Sequence, residues 1–329
     1  MAEAATVDYR LANERALVRF VAGALRALGV EPPDAAIVAD VLVAADLRGI
    51  EAHGVARLVS QDVRRLRDGV MVAKPVVAVV RETPTSIVLD AGNGLGYPVA
   101  KRAMERVIEK SREAGTAFGA VRNANHFGIA GYYAMLALEH DMIGIASTNA
   151  VRHAPPTFGR EIVLGANPLA FAIPAQHEPP FVLDFATTIG IDGVPAPLGG
   201  FGIESGGHKG YGLGLLVDIL CGVLSGGAFG TQLPGPDDPP QPGKISHFFG
   251  AIRIDGFRDA AQFKADMDVE LRTFKDSRTS AGHDRVYVAG EIEDEKARFN
   301  REHGVPVRGA VWTGLERLAA ELGLPFDLA

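Results

Sequence analysis

The chain has 329 residues, 47% hydrophobic and 22% charged, enough for two domains and a sizeable core. A formal net charge of −7 argues against a nucleic-acid surface, which is basic. The single cysteine, Cys221, rules out an intramolecular disulfide and a disulfide-stapled secreted scaffold.

The N-terminus carries Glu3 and Asp8 where an export signal would be basic and then apolar, so the expected compartment is the cytoplasm. Leu17, Phe20, Val21, Ala24, Leu25 and Leu28 recur at helical spacing, and Gly29 stops that helix. Pro33 and Asp34 open a second helix with a stripe from Ile37 to Ala45, and a third runs from about Val55 to Arg67. Between them lies "DLRGIEAHG", too polar and glycine-broken to continue either. The period then changes: "VVAVVRE" and "SIVLDA" predict a hairpin. An amphipathic helix follows, with Pro98 in its first turn and Gly115 beyond its end. "AFGAV", "MIGIAST", "LAFAIP" and "FVLDFA" read as short strands, with a helix through about His140. The run "YGLGLLVDILCGVLSGGAF" has the length of a membrane span but contains Asp218 and five glycines, which favours a buried core helix. After the irregular stretch 231–247 come strand "HFFGAIRI", a helix over Ala260–Phe274, strand "RVYVAG" and two helices ending at Leu322.

This order predicts an α+β fold rather than repeated βαβ units. The expected division is a helical segment 1–74 packing with 246–329 as one discontinuous domain, and a mixed-sheet domain over 75–245.

No HExxH or Cys/His cluster is present, so no metal site is expected, and no GxSxG elbow marks a serine nucleophile. "GNGLGY" fails as a dinucleotide fingerprint because Tyr97 takes the last glycine's place; a tight turn explains it. "GGFGIESGGHKGYGLG" combines flexible glycines, Lys209 and a helix start, which suits an anionic group such as a pyrophosphate, or else forms a surface loop. His53 in "EAHGVAR" and His126 in "NANHFGIAG" each precede a predicted helix; on spacing alone each is either catalytic or a satisfied structural group. Arg57 lies four residues, one helical turn, after His53, and a guanidinium there suits an acid substrate. Asp184 ends an apolar strand, where a buried carboxylate needs a partner such as an imidazole.

Nine blocks, "DLRGIEAHGVARL", "NANHFGIAGYYA", "STNA", "LGANPLAFAIP", "LDFATT", "PLGG", "HKGYGL", "HFFGAIRI" and "VYVAGEIE", together resemble the malate/L-lactate dehydrogenase family, which lacks a Rossmann fold. The resemblance implies a mixed-sheet cofactor domain beside a mainly helical domain built from both termini. It implies an NADH- or NADPH-dependent oxidoreductase acting on small 2-oxo, 2-hydroxy or cyclic imino acids, as a homodimer with its active site near the subunit interface. By motif position His126 is the acid/base, with His53 and Asp184 in the catalytic set. Arg57, His53 and Asn125 line the substrate pocket, Arg57 gripping the carboxylate. Asn149, Asn167, Pro168, Asp184, Gly206, Gly207, His208, Lys209 and Gly210 lie around the cofactor. Two departures stand out. Ala52 replaces the serine that the family carries before the first histidine, and "DFATTIGIDGVPAPLGG" is shorter than the family's segment by a few dozen residues. That second departure leaves open a catalytically impaired dimeric nucleotide-binding protein.

Overall fold

The computed structural model describes residues 8–191 and 193–328; Glu3, read above for export, lies outside them. The chain divides into two compact units, Met1–Lys74 with Ile292–Ala329, and Pro75–Glu291.

In the first unit, Asn13 accepts the Ala16 N–H at 3.1 Å and so caps helix Glu14–Ala27, satisfying one of its free amides. That helix buries Leu17, Val21 and Leu25, while Gly29 ends it at φ 90°. The next helix, Pro32–Leu47, is buried nearly all round, with Val38, Val41, Leu42 and Ala45 fully covered. The third predicted helix is real but interrupted: Val55–Arg57, a π turn over Leu58–Asp62, then Val63–Arg67. Strand Tyr9–Ala12 pairs antiparallel with Val305–Arg308 between the two closing helices. Neither strand is legible in the sequence, because each is four residues long, too short for its alternation to stand out.

The second unit is built on a seven-stranded sheet in the order Ala78–Thr83, Ser86–Asp90, Thr116–Ala124, Ile245–Arg253, Met142–Thr148, Leu169–Ile173, Phe181–Phe185. Only Ser86–Asp90 and Thr116–Ala124 run parallel, joined by the crossover helix Gly96–Ala114. The sheet is therefore mixed, as predicted. Strand Ile245–Arg253 lies at its centre with its first seven residues buried. This is why 246–291 belongs with the second unit rather than with the termini, as the expected division had it: a central strand contributes two ladders of hydrogen bonds and both faces to the core.

Two further expectations change. Arg285–Gly290 forms no strand; Ala289 accepts the Val182 N–H at 3.1 Å, and Arg285 lies over the Tyr287 ring. The apolar run after Tyr211 is helix Gly207–Asp218 continued by a π turn over Ile219–Val223, but it is not a buried core helix. Its glycine face packs inward, while Leu215, Leu216, Ile219 and Val223 stay 40–50% exposed. Among the described residues no helix is long and apolar enough to cross a membrane.

Candidate active site

The two histidine motifs fall on different units, His53 and Arg57 on the first and His126 and Asp184 on the second.

His126 follows the end of strand Thr116–Ala124 and is half-buried. Its neighbours immobilise it. Asn125, 3% exposed, donates its amide to Asn93 O at 3.0 Å and Gly94 O at 2.9 Å. The glycine turn predicted at 92–97 thus packs on the histidine loop: a Cβ at Gly96 would stand 2.1 Å from Asn125 O, which only glycine avoids. Phe127 stacks on His247 at 4.5 Å with the rings nearly parallel, and Tyr133 donates its hydroxyl to Phe127 O. Asp184 Oδ2 accepts the Gly131 N–H at 2.7 Å, tying its strand to the start of helix Ala130–Met135. The His126 ring itself accepts the Gly128 N–H at Nδ1, 3.0 Å away. An amide can only donate, so in this orientation the neutral ring carries its proton on Nε2.

His247 was not singled out from sequence, although a histidine inside an otherwise apolar central-strand run was the available signal. It is fully buried, lies 2.8 Å from Thr148 Oγ1 through Nδ1, and burial pushes its pKa down to about 3. It is a neutral platform beneath the Phe127 that follows His126.

Around the expected cofactor residues, Asn149 and Asn167 are fully buried. Asn149 donates to Asp218 Oδ1 at 3.0 Å and Ala228 O at 2.9 Å, and accepts the Ser246 N–H at 2.8 Å. Asn167, at φ 39°, donates to Gly214 O and accepts the Ala150 N–H. Pro168 O accepts the Thr148 N–H at 3.3 Å. These side chains brace loops against each other. Asp218, a second residue that sequence reasoning missed, also accepts the Gly230 N–H, and burial pushes its pKa up. The glycine loop is folded tightly on itself: a Cβ at Gly207 would sit 1.9 Å from Gly200 O, and one at Gly210 2.1 Å from Leu198 O. Gly206 caps helix Gly207–Asp218 at φ 89° with no side-chain cap, and His208 and Lys209 are exposed in its first turn. A positive side chain there works against the helix dipole unless an anion joins it.

The shortened stretch is an antiparallel hairpin, Thr188–Ile191 with Val194–Pro197. Gly193, immediately before the second of these strands, has φ 79°; Asp192 of the "IDGVPAP" remnant lies outside the described residues.

On the first unit, His53 closes a 3₁₀ turn, Glu51–His53, and burial together with the Arg57 charge pushes its pKa down. Asp46, 3% exposed, accepts the Val55 N–H at 2.8 Å, which fixes the chain just after His53. A Cβ at Gly54 would stand 1.9 Å from Asp46 Oδ1, so the glycine after the histidine is what lets the carboxylate reach. Ala52 lines a cavity of about 240 Å³ together with Asp46, Glu51, Val55, Val307 and Arg308. Arg57 Nε lies 3.7 Å from Asp62 Oδ1.

Residues 13–194 and 189–316 match the profile of the malate/L-lactate dehydrogenase family. The malate dehydrogenase of Pyrococcus abyssi is 38% identical over 94% of this chain and 94% of its own length. The L-sulfolactate dehydrogenase of Methanocaldococcus jannaschii is 35% identical over 96% and 97%. The solved malate dehydrogenase of Pyrococcus horikoshii OT3 superposes with TM-score 0.92 at 36% identity, covering 99% of this chain and all of that one. The alignment to the first spans 347 positions, more than this chain's 329 residues, so that relative carries residues for which this chain has none. The two profile matches meet at 189–194, in the hairpin. The chain belongs to the malate/L-lactate dehydrogenase family and is an oxidoreductase of that type.

Proposed function

We propose that the protein is an NADH- or NADPH-dependent oxidoreductase interconverting small 2-oxo and 2-hydroxy acids. His126 handles the proton and Arg57 holds the substrate carboxylate. The observation that supports this is the His126 ring, which accepts the Gly128 amide at Nδ1 and so carries its proton on Nε2, in a loop whose next residue, Phe127, stacks on His247. Hydride addition to a carbonyl builds charge on oxygen, and a fixed N–H donor lowers that barrier. Arg57 supplies a guanidinium that pairs with carboxylates through two parallel bonds. His53, held neutral beside it, is able to hydrogen-bond a substrate without adding charge.

The dinucleotide, when bound, supplies or accepts the hydride. The uncapped start of helix Gly207–Asp218 with exposed His208 and Lys209 fits its phosphates. Asn149, Asn167 and Pro168 brace the surrounding loops, and Asp184 steadies the helix after His126. We further propose a homodimer, supported by the exposed Leu215, Leu216, Ile219 and Val223 face, and a cytoplasmic location, supported by the single buried cysteine.

The test follows reduced nicotinamide absorbance with pyruvate, oxaloacetate and piperideine-2-carboxylate, using each cofactor in turn. Turnover of a 2-oxo acid is expected; turnover of the cyclic imine alone would move the substrate class, and no turnover by folded protein would overturn the reading. The short hairpin favours one rival, nucleotide binding without turnover, which calorimetry beside the same assay separates.

A further inference from the structure

The interrupted helix after His53 contains a device with no place in the reading above. In an α-helix each residue turns about 100°, so residue i+5 lies roughly 140° around the axis from residue i. Asp62 would then face away from Arg57. The π turn over Leu58–Asp62, closed by the Val63 N–H on Leu58 O, changes this: an i→i+5 turn stacks residue i+5 one turn from residue i. Asp62 Oδ1 comes to 3.7 Å from Arg57 Nε, with side-chain exposures of 3% and 15%. A carboxylate that deep loses its hydration and is disfavoured unless a charge faces it. Arg57 Nε is itself buried and makes no hydrogen bond, so the guanidinium is held by charge across that gap. A guanidinium held along its Nε edge keeps its Nη end for a second carboxylate. Arg65, one turn beyond Asp62, has both Arg57 and Asp62 as charged neighbours. Two guanidiniums and one carboxylate leave the cluster net positive, the sign that an acid substrate needs.

We propose that Asp62, brought under Arg57 by the π turn, is a positioning residue that sets the orientation of Arg57 for the substrate carboxylate. This rests on Arg57 being the carboxylate anchor. Initial rates with pyruvate and oxaloacetate at saturating reduced cofactor are compared for wild type, Arg57→Ala, Asp62→Asn and the double variant. Arg57→Ala and Asp62→Asn each raise KM for the oxo acid about tenfold or more, with kcat within about twofold and cofactor KM unchanged. The double variant is no worse than Arg57→Ala alone, because Asp62 acts through Arg57. Asp62→Glu, which keeps the charge, recovers part of the loss. A wild-type KM in Asp62→Asn beside a raised KM in Arg57→Ala overturns the positioning role and leaves the anchor reading intact. So does a further loss on adding Asp62→Asn to Arg57→Ala. A wild-type KM in Arg57→Ala overturns the anchor reading and this proposal with it. Should the Asp62 variants not fold, or neither acid turn over, the carboxyl carbon signal of Asp62 in wild-type protein decides. A carboxylate that is ionised at neutral pH supports the pairing, and one that is protonated there overturns it.

Discussion

Two turns of similar wording, "EAHGVAR" and "NANHFGIAG", are built by different physics. The His126 turn is held mainly by neutral groups, the Asn125 amide, the Gly128 and Gly131 amides and stacked rings, with the carboxylates of Asp184 and Asp90 accepting the Gly131 and Asn123 N–H groups. The His53 turn is held by buried ionisable groups, with Asp46 against the Val55 amide and Asp62 against Arg57. Neutral amide clamps are insensitive to pH and salt, whereas buried carboxylates tie geometry to protonation. The first arrangement suits a ring whose orientation must not change; the second suits a pocket that holds an acid.

The sharpest way to break the contrast is at His126. His126→Ala should lower kcat by about two to four powers of ten, the usual contribution of positioned proton transfer. Cofactor affinity, read by calorimetry, should be unchanged, since the ring is braced by its own loop. A variant with wild-type kcat would show that the rigid turn presents something other than its histidine.

Next in size is Gly54→Ala. The new methyl would stand 1.9 Å from Asp46 Oδ1, and the buried carboxylate has nowhere to go without losing the Val55 N–H. The overpacking should cost about 1–3 kcal/mol by chemical denaturation. The cost should shrink in an Asp46→Ala background, where the obstacle is gone. Gly131→Ala meets Asp184 Oδ2 at 2.8 Å and should cost less, because that carboxylate is less deeply buried. Equal costs would mean that the two turns are equally yielding.

Much of this was legible in the sequence, and unevenly so. Long periodic segments such as Glu14–Ala27 and Gly96–Ala114 announce themselves, as do glycine-flanked histidines. The Arg57–Asp62 pairing did not, because five-residue spacing means opposite faces unless a π turn intervenes, and nothing local spells that turn. His247 was hidden for another reason: a strand residue's role depends on which strands flank it, and strand Ile245–Arg253 joins neighbours about a hundred residues or more away. That same long-range pairing moved the domain boundary. The closely spaced glycines were visible as a cluster, but only coordinates show Gly207 and Gly210 turned against their own loop.

A graded effect follows from Asp46. Burial, with the Glu51 charge adding, pushes its pKa up to about 8, while the Val55 amide pulls the other way. An unfolded aspartate titrates near 3.9. Between those values the folded chain keeps a proton that the unfolded chain has lost, so this group's contribution to stability falls as pH rises from about 4 to about 8. Asp46→Asn cannot ionise yet still accepts the Val55 N–H. Its Tm should decline less than that of wild type across this window; parallel curves would show that Asp46 is not protonated in the folded chain.

The smallest effect is expected at the rim of the same turn. Glu51, partly covered, accepts the hydroxyl of the exposed Tyr9 at 2.9 Å and pairs with the exposed Arg308. Water screens such pairs, so Glu51→Gln should move Tm by no more than about 2 °C. It also removes the charge that adds to the upward push on Asp46. The variant should therefore leave stability almost unchanged while moving the midpoint of the Asp46-dependent decline to lower pH. Burial is the larger cause and remains, so the displacement is modest. A midpoint that stays put would assign the Asp46 shift to burial alone, and charge would then hold the His53 turn only through Asp62 and Arg57.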